Sequence, residues 1–252
     1  MQNQEILAVS ESFYSLQGEG KTMGIPAIFL RLSGCNLICG GKGAEKDGAL
    51  HNGATWICDT IDVWMQGQSY PFDELIASMN ASFQFVKRLE KGAHLVITGG
   101  EPLLQQQRII HFLTYLEQNH GICPTVEIET NATIEPLAAL DARVHYWNCS
   151  PKLSNSGMSL QARWKQQVID WFGNNPKTMF KFVLAAKYEF EEIDEMIRSK
   201  QIDASKIVLM PAADSIEQLL ERNKMIAQLC IDQQLRMCTR LHVEIWNQLT
   251  GV

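Results

Sequence analysis

His94-Leu95-Val96-Ile97-Thr98-Gly99-Gly100-Glu101-Pro102 reads as an apolar strand that ends in a glycine turn. Residues 104–118 then repeat their apolar side chains at helical spacing, so the stretch is a strand, a turn and a helix. The same alternation extends in both directions. Strand-like runs fall at 6–9, 27–32, 125–129, 144–148, 179–184, 206–210 and 240–245. Helical spacing covers 72–89, 190–193 and 215–234, the last with Ile216, Leu219, Leu220, Ile226, Leu229 and Cys230 on one stripe. Strands alternating with helices predict an α/β protein with a parallel sheet, open or curled into a barrel, whose chemistry gathers at the carboxyl ends of the strands. At such an end, Gly99 and Gly100 let backbone approach a ligand closely, and Glu101 offers an acceptor suited to an ammonium group. An ordinary βα turn with Pro102 opening the helix is the alternative.

The chain has 252 residues, 46% of them hydrophobic and 20% charged, with a net charge of -6. That length suits one large domain, and no internal repeat or linker divides residues 1–252. A net negative charge argues against nucleic-acid binding through a broad basic surface. No apolar run is long enough to span a membrane, and the first residues lack the basic start of a secretion signal. Seven cysteines, an odd number, point to reduced thiols and a cytoplasmic setting. Residues 40–54, GGKGAEKDGALHNGA, hold five glycines and almost no large apolar side chain, and read as a loop insertion.

That insertion separates two cysteines of a group. Cys35 and Cys39 lie in Gly34-Cys35-Asn36-Leu37-Ile38-Cys39, and Cys58 follows 18 intervening residues later in Trp56-Ile57-Cys58-Asp59-Thr60. Three thiolates are the soft ligand set of an iron–sulfur cluster. Being one short of a closed four-iron cube, they leave one iron open to a small-molecule cofactor. Structural zinc is the competing reading; it wants four ligands, which His51 would complete. The remaining Cys123, Cys149, Cys230 and Cys238 read as small buried apolar residues.

With the three cysteines and the Gly-Gly-Glu-Pro strand end together, the chain resembles the radical S-adenosylmethionine (SAM) superfamily. Phe13-Tyr14-Ser15-Leu16-Gln17-Gly18-Glu19-Gly20, the run from Gly24 to Leu37, Cys58-Asp59-Thr60, Glu129-Thr130-Asn131, Ser150-Pro151-Lys152 and Leu241-His242-Val243-Glu244-Ile245-Trp246 resemble the 7-carboxy-7-deazaguanine synthases within it. The resemblance implies an incomplete, TIM-like βα barrel of the radical-SAM type. It also implies ring contraction of 6-carboxy-5,6,7,8-tetrahydropterin to 7-carboxy-7-deazaguanine with loss of ammonia, in queuosine or related 7-deazapurine biosynthesis. Cofactor and cluster carry the radical chemistry, so no side chain is assigned a catalytic step.

By the same resemblance, Cys35, Cys39 and Cys58 hold a [4Fe-4S] cluster, and Thr60 places its hydroxyl on Mg²⁺. SAM lies along Ile57, Cys58, Asp59, Gly100, Glu101, Ser150, Pro151, Lys152, Met210, Pro211, Ala212 and Ala213. The pterin meets Leu16, Gln17, Gly18, Glu19, Arg31, Thr98, His242 and the terminal carboxylate of Val252. Arg31 suits the substrate carboxylate because a guanidinium is a planar fork. A flavodoxin-type electron donor and a homodimer are expected by family habit.

Two departures stand out. Met210-Pro211 replaces a Gln-Pro pair usual in the family and removes a side-chain amide. The gap between Cys39 and Cys58 replaces a gap of two residues, and closing it costs about 2 kcal/mol more by the logarithmic rule. Iron–thiolate bonding exceeds that, and the usual spacing from Cys35 keeps Cys39 as the second ligand. A glycyl-radical activase and a zinc-stabilised, non-catalytic binding module remain the alternatives. Arg31, Thr60 and a terminal carboxylate around a small anion disfavour the first; a brown chromophore separates the second.

Overall fold

The structure, a computed structural model, describes residues 5–41, 50–249 and 251. Most of the insertion and Val252 therefore lie outside the described residues. The first half runs β1 (Ile6–Leu16), β2 (Pro26–Leu32), α1 (Ile61–Trp64), β3 (Gln68–Pro71), α2 (Phe72–Phe83), α3 (Phe85–Glu90), β4 (His94–Gly99) and α4 (Gln106–His120). It continues through β5 (Val126–Thr130), α5 (Ala138–Asp141), β6 (Tyr146–Cys149), α6 (Leu160–Arg163) and α7 (Gln166–Asn174). The last part is β7 (Thr178–Leu184), α8 (Phe190–Arg198), β8 (Ile207–Pro211), α9 (Ile216–Gln233), β9 (Arg236–Met237) and α10 (Leu241–Trp246).

All nine strands form one sheet in the order β3-β1-β2-β4-β5-β6-β7-β8-β9. From β2 to β9 neighbouring strands are parallel, while β1 is antiparallel to both β2 and β3. The sheet does not close, so the fold is an incomplete βα barrel. Its curl is visible in contacts between distant strands. Gln17, at the end of β1, reaches Glu129 of β5, and Glu19 reaches Lys181 of β7.

Helices cover the outer face, as a parallel sheet requires. Val126 and Ile128 of β5, Trp147 of β6 and Phe180 and Phe182 of β7 join Phe112, Ile169, Phe172 and Ile226 of the helices in one core. Trp147 meets the rings of Trp171 and Phe172 edge-on at 6.2 and 5.5 Å. The inner face is apolar only in part: Phe13, Ala27, Phe29 and Val96 on one side, Met179, Val208 and Cys238 on the other. Between them sit buried Thr98, Glu127, Asn148 and Lys181, and a polar lumen is what a binding site needs.

Three expectations change. Residues 240–245 form helix α10, not a strand; Leu241, Val243 and Ile245 alternate, but only Val243 is buried. The helix over 72–89 divides into α2 and α3 at Gln84, which is left-handed at φ 57°. Cys123 is exposed rather than buried, whereas Cys149, Cys230 and Cys238 are buried. No helix among the described residues is long and apolar enough to cross a membrane.

Candidate active site

Cys35 and Cys39 follow β2 at its carboxyl end, and the glycine turn after β4 packs against them. Glu101 N–H donates to Gly34 O at 2.9 Å, and a Cβ on Gly100 would fall 2.4 Å from Gly34 O and 2.5 Å from Cys35 Cβ. Only glycine permits that approach. Asn36 ties the cysteine loop to the end of β5, donating to Thr133 Oγ1 at 2.8 Å and accepting from Asn131 Nδ2 at 2.9 Å.

The chain returns from the insertion to the place where it left. Cys58 N–H donates to Cys39 O at 3.2 Å, and a Cβ on Gly40 would lie 2.6 Å from both Ile57 Cα and Trp56 O. The turn after β6 holds both strands of this stem: Gly40 N–H donates to Ser156 O and Thr55 N–H to Asn155 O, each at 2.9 Å. Thr55 Oγ1 also donates to Glu189 Oε1 at 2.6 Å. The long separation in sequence is thus short in space, and Cys39 and Cys58 stand side by side.

Burial pushes the Cys35 thiol up to about 11, with the Leu37 N–H pulling it down and the Glu101 charge adding to the rise. Burial also raises Cys39, and Lys152 opposes that rise. Lys152 Nζ donates to Ser150 Oγ at 3.2 Å and lies 5.6 Å from the Trp56 ring centre. Thr60 Oγ1 is 3.5 Å from Cys58 Sγ. Among the described residues no three His, Cys, Asp or Glu side chains converge as a single metal ion requires. The exposed His51 bonds Asn52 instead, at 2.8 Å, so a Cys3His zinc site is not assembled there. A four-iron cluster takes each thiolate on a different iron and so wants them on one rim, spread apart. The rim, the soft donors and the glycine cradle fit that group.

Glu101 stands at the end of the glycine turn. It is fully buried, and its carboxylate accepts from Leu103 N–H at 3.0 Å, Asn131 N–H at 2.7 Å and Thr130 Oγ1 at 2.8 and 2.9 Å. Burial raises its pKa against the pull of those donors. It therefore braces the glycine turn after β4 against the end of β5.

The other side of the lumen carries the second set. Gln17, 1% exposed, donates to Glu129 Oε1 at 3.4 Å and accepts from Glu19 N–H at 3.2 Å. Thr98 Oγ1 donates to Glu129 Oε2 at 2.8 Å. Gly18 O accepts from Leu241 N–H at 3.0 Å, and a Cβ on Gly18 would meet His242 Nδ1 at 2.5 Å. So α10 seats His242 against the turn that follows Leu16. Burial lowers the pKa of His242, against the attraction of Glu19. Arg31 lies at the same rim, with Nε donating to Glu11 Oε1 at 2.7 Å. Met210, Pro211, Ala212 and Ala213 are buried at the end of β8, and Ser150 follows β6 with its N–H on Thr130 O at 2.7 Å.

Lys181, Arg240 and Glu127 here were missed. Glu19 carries both Lys181 Nζ on Oε2 and Arg240 Nε on Oε1, the latter at 3.1 Å. Arg240 continues to Asp59 Oδ2 at 2.5 Å and to the carbonyl of Ala213. Below, Glu127 gathers His94 Nδ1 at 2.5 Å, Thr22 Oγ1 at 2.7 Å and Asn148 Nδ2 at 3.0 Å. The carboxylates had a signal in Val126-Glu127-Ile128-Glu129, where charges alternate with apolar residues in a strand buried on both faces. Lys181 and Arg240 had none, because their partners lie 162 and 221 residues away.

No family model matches the chain. It is similar, however, to 7-carboxy-7-deazaguanine synthases. That of Pyrobaculum aerophilum is 32% identical over 245 residues, covering 96% of each chain. That of Halobacterium salinarum is 30% identical over 264 residues, covering 96% of this chain and 91% of its own. The crystal structure of QueE from Escherichia coli, 23% identical, shares the fold with a TM-score of 0.57 over 94% of this chain and 95% of that one. Identity of this degree along nearly the whole length shows that the chain belongs to the 7-carboxy-7-deazaguanine synthase family, radical-SAM lyases of queuosine biosynthesis.

Proposed function

We propose that this chain, as one domain, contracts 6-carboxy-5,6,7,8-tetrahydropterin to 7-carboxy-7-deazaguanine and releases ammonia in the polar lumen beneath the cysteine rim. The observation that carries this reading is the stem of the insertion: the Cys58 N–H to Cys39 O bond restores a third cysteine beside the second. Cys35, Cys39 and Cys58 would hold a [4Fe-4S] cluster, and the rim from Ile57 through Gly100 and Ser150 to Ala213 would hold SAM. When bound, cluster and SAM together supply a carbon-centred radical able to remove a hydrogen atom from the substrate.

The rest falls to the chain's own residues. Glu129 and Gln17 offer adjacent acceptor and donor groups for the nitrogen-rich edge of the pterin. Thr98 Oγ1 fixes the Glu129 carboxylate, and with it the height of the ring in the lumen. His242, less basic than an exposed histidine, is a neutral donor or acceptor near pH 7 against the ring. Arg31, held by Glu11, faces the substrate carboxylate, and Thr60 contributes one hydroxyl to Mg²⁺, which keeps few protein ligands. The backbone N–H of Ala213 takes the place of the missing side-chain amide. A flavodoxin-type donor, a homodimer and a cytoplasmic setting complete the reading.

Anaerobic incubation of iron-loaded protein with SAM, a low-potential reductant, Mg²⁺ and the carboxytetrahydropterin should release the deazaguanine, detected by mass. Absence of product from protein carrying a full iron complement would reject the reading. Thr60→Ala should remove the stimulation by Mg²⁺ with the iron content intact; unchanged metal dependence would take Thr60 out of the site.

A further inference from the structure

We propose that Arg240 is a positioning residue that couples the pterin-binding turn at 17–19 to the segment carrying the third cysteine. The inference rests on the functional reading above and adds a residue and a linkage to it.

One guanidinium joins three separate parts of the rim. Its Nε donates to Glu19 on the substrate turn, one NH₂ group to Asp59 next to Cys58, and the other to the carbonyl of Ala213 after β8. The same turn is joined to α10 by the Gly18 O and Leu241 N–H bond, one residue from Arg240. Arg is suited to this because its donors are fixed in one plane, so a shift at one acceptor reorients the others. A flexible lysine would not transmit it.

A purely structural ion pair would be indispensable to partners that lack alternatives. These partners have them. Glu19 keeps Lys181 when Arg240 is removed, so no bare buried carboxylate results. Asp59 has a side chain 46% exposed, and water can take the place of its ion pair. Removing the guanidinium therefore leaves the fold its other contacts and severs this bridge between the substrate turn and the cysteine segment. Coupling between two ligands is reciprocal, so the bridge makes each of SAM and pterin raise the affinity for the other.

The test is equilibrium binding of SAM to iron-loaded protein with and without 6-carboxypterin, a stable oxidised analogue of the substrate. In the wild type the pterin should tighten SAM binding about fivefold or more, and SAM should tighten pterin binding by the same factor. In Arg240→Met the ratio should fall to about one while iron content and far-ultraviolet circular dichroism stay unchanged, and Arg240→Lys should recover little of it. A structural role would lower both affinities and leave the ratio. Should Arg240→Met not fold, Asp59→Asn cuts the rim arm without changing shape and should reduce the ratio as well. Wild-type protein that binds both ligands independently, or a variant that keeps the full ratio, overturns the proposal. Wild-type protein that turns over no pterin and binds none overturns the functional reading instead.

Discussion

The two sides of the lumen are held in place by different forces. On the cysteine side, the carboxylates of Glu101 and Glu189 apart, the contacts between segments are neutral and made largely by backbone: Cys58 to Cys39, Gly40 to Ser156, Glu101 N–H to Gly34, and the amides of Asn36 and Asn131. Glycines stand where these segments touch, because a side chain would occupy the space of the neighbouring strand. On the substrate side a chain of charges runs from Lys181 through Glu19 and Arg240 to Asp59. Shape thus governs one side and charge the other. The difference suits their tasks. A cluster needs thiols at fixed positions in a site that keeps out competing ligands, whereas an anionic, nitrogen-rich substrate needs oriented dipoles and charges.

The largest effect should come from removing a thiol. Cys39→Ala should abolish the brown chromophore of anaerobically reconstituted protein, and a surviving four-iron spectrum would hand its role to another residue. Next on the charged side, Glu19→Gln leaves Lys181 buried without its counter-ion and should destabilise the protein by about 3 kcal/mol at neutral pH. Burial pulls the Glu19 carboxyl upward, but Lys181 and Arg240 hold it well below the ordinary carboxylate range. A carboxyl depressed in the folded state contributes its stability above its unfolded pKa, near 4.5, and loses it as the pH falls further. The gap between wild type and Glu19→Gln, followed by urea unfolding, should therefore be full at pH 7, begin to narrow at about pH 4.5 and go on narrowing as the pH falls towards the much lower folded-state value. A gap independent of pH would show that shape, not charge, is what Glu19 supplies. On the neutral side Gly100→Ala should cost about 2 kcal/mol by overpacking, with no such pH dependence, and should lower iron loading by displacing Cys35.

Much of the molecule was legible because its signals are local. The run His94–Gly99 and its glycine turn, the apolar strands, and the stripe of α9 are patterns within a single element, and each became the element expected. The insertion between Cys39 and Cys58 read as a loop, and its two ends do meet, Cys58 N–H on Cys39 O. Short edge strands were not legible: β3, Gln68-Ser69-Tyr70-Pro71, has two exposed residues, and β9 is Arg236-Met237, so neither carries an apolar alternation. In α10 the alternation of Leu241, Val243 and Ile245 imitates a strand, because a helix of six residues leaves too short a record for its period to show. The charge chain was beyond local reading, since Lys181, Arg240 and Glu19 are neighbours only after the sheet has curled.

The smallest effect bears on the neutral side at Ala132, a buried residue at φ 59° that bends the chain after Asn131 and so turns its amide towards Asn36. A left-handed backbone costs a residue with a Cβ about 1–2 kcal/mol, and glycine would relieve it. Glycine would also forfeit the burial of one methyl group, about 0.8 kcal/mol. It adds unfolded-state freedom worth about 0.4–1 kcal/mol. These contributions nearly cancel, so Ala132→Gly should change stability by less than about 0.5 kcal/mol and leave iron loading as it was. Ala132→Val retains the methyl group and adds branching where φ is positive, so it should destabilise by about 2 kcal/mol or more. Urea unfolding of the pair separates the contributions: a large gain for glycine would mean that the bend is strained, and an unharmed valine variant would mean that this backbone relaxes without disturbing the Asn131–Asn36 bond.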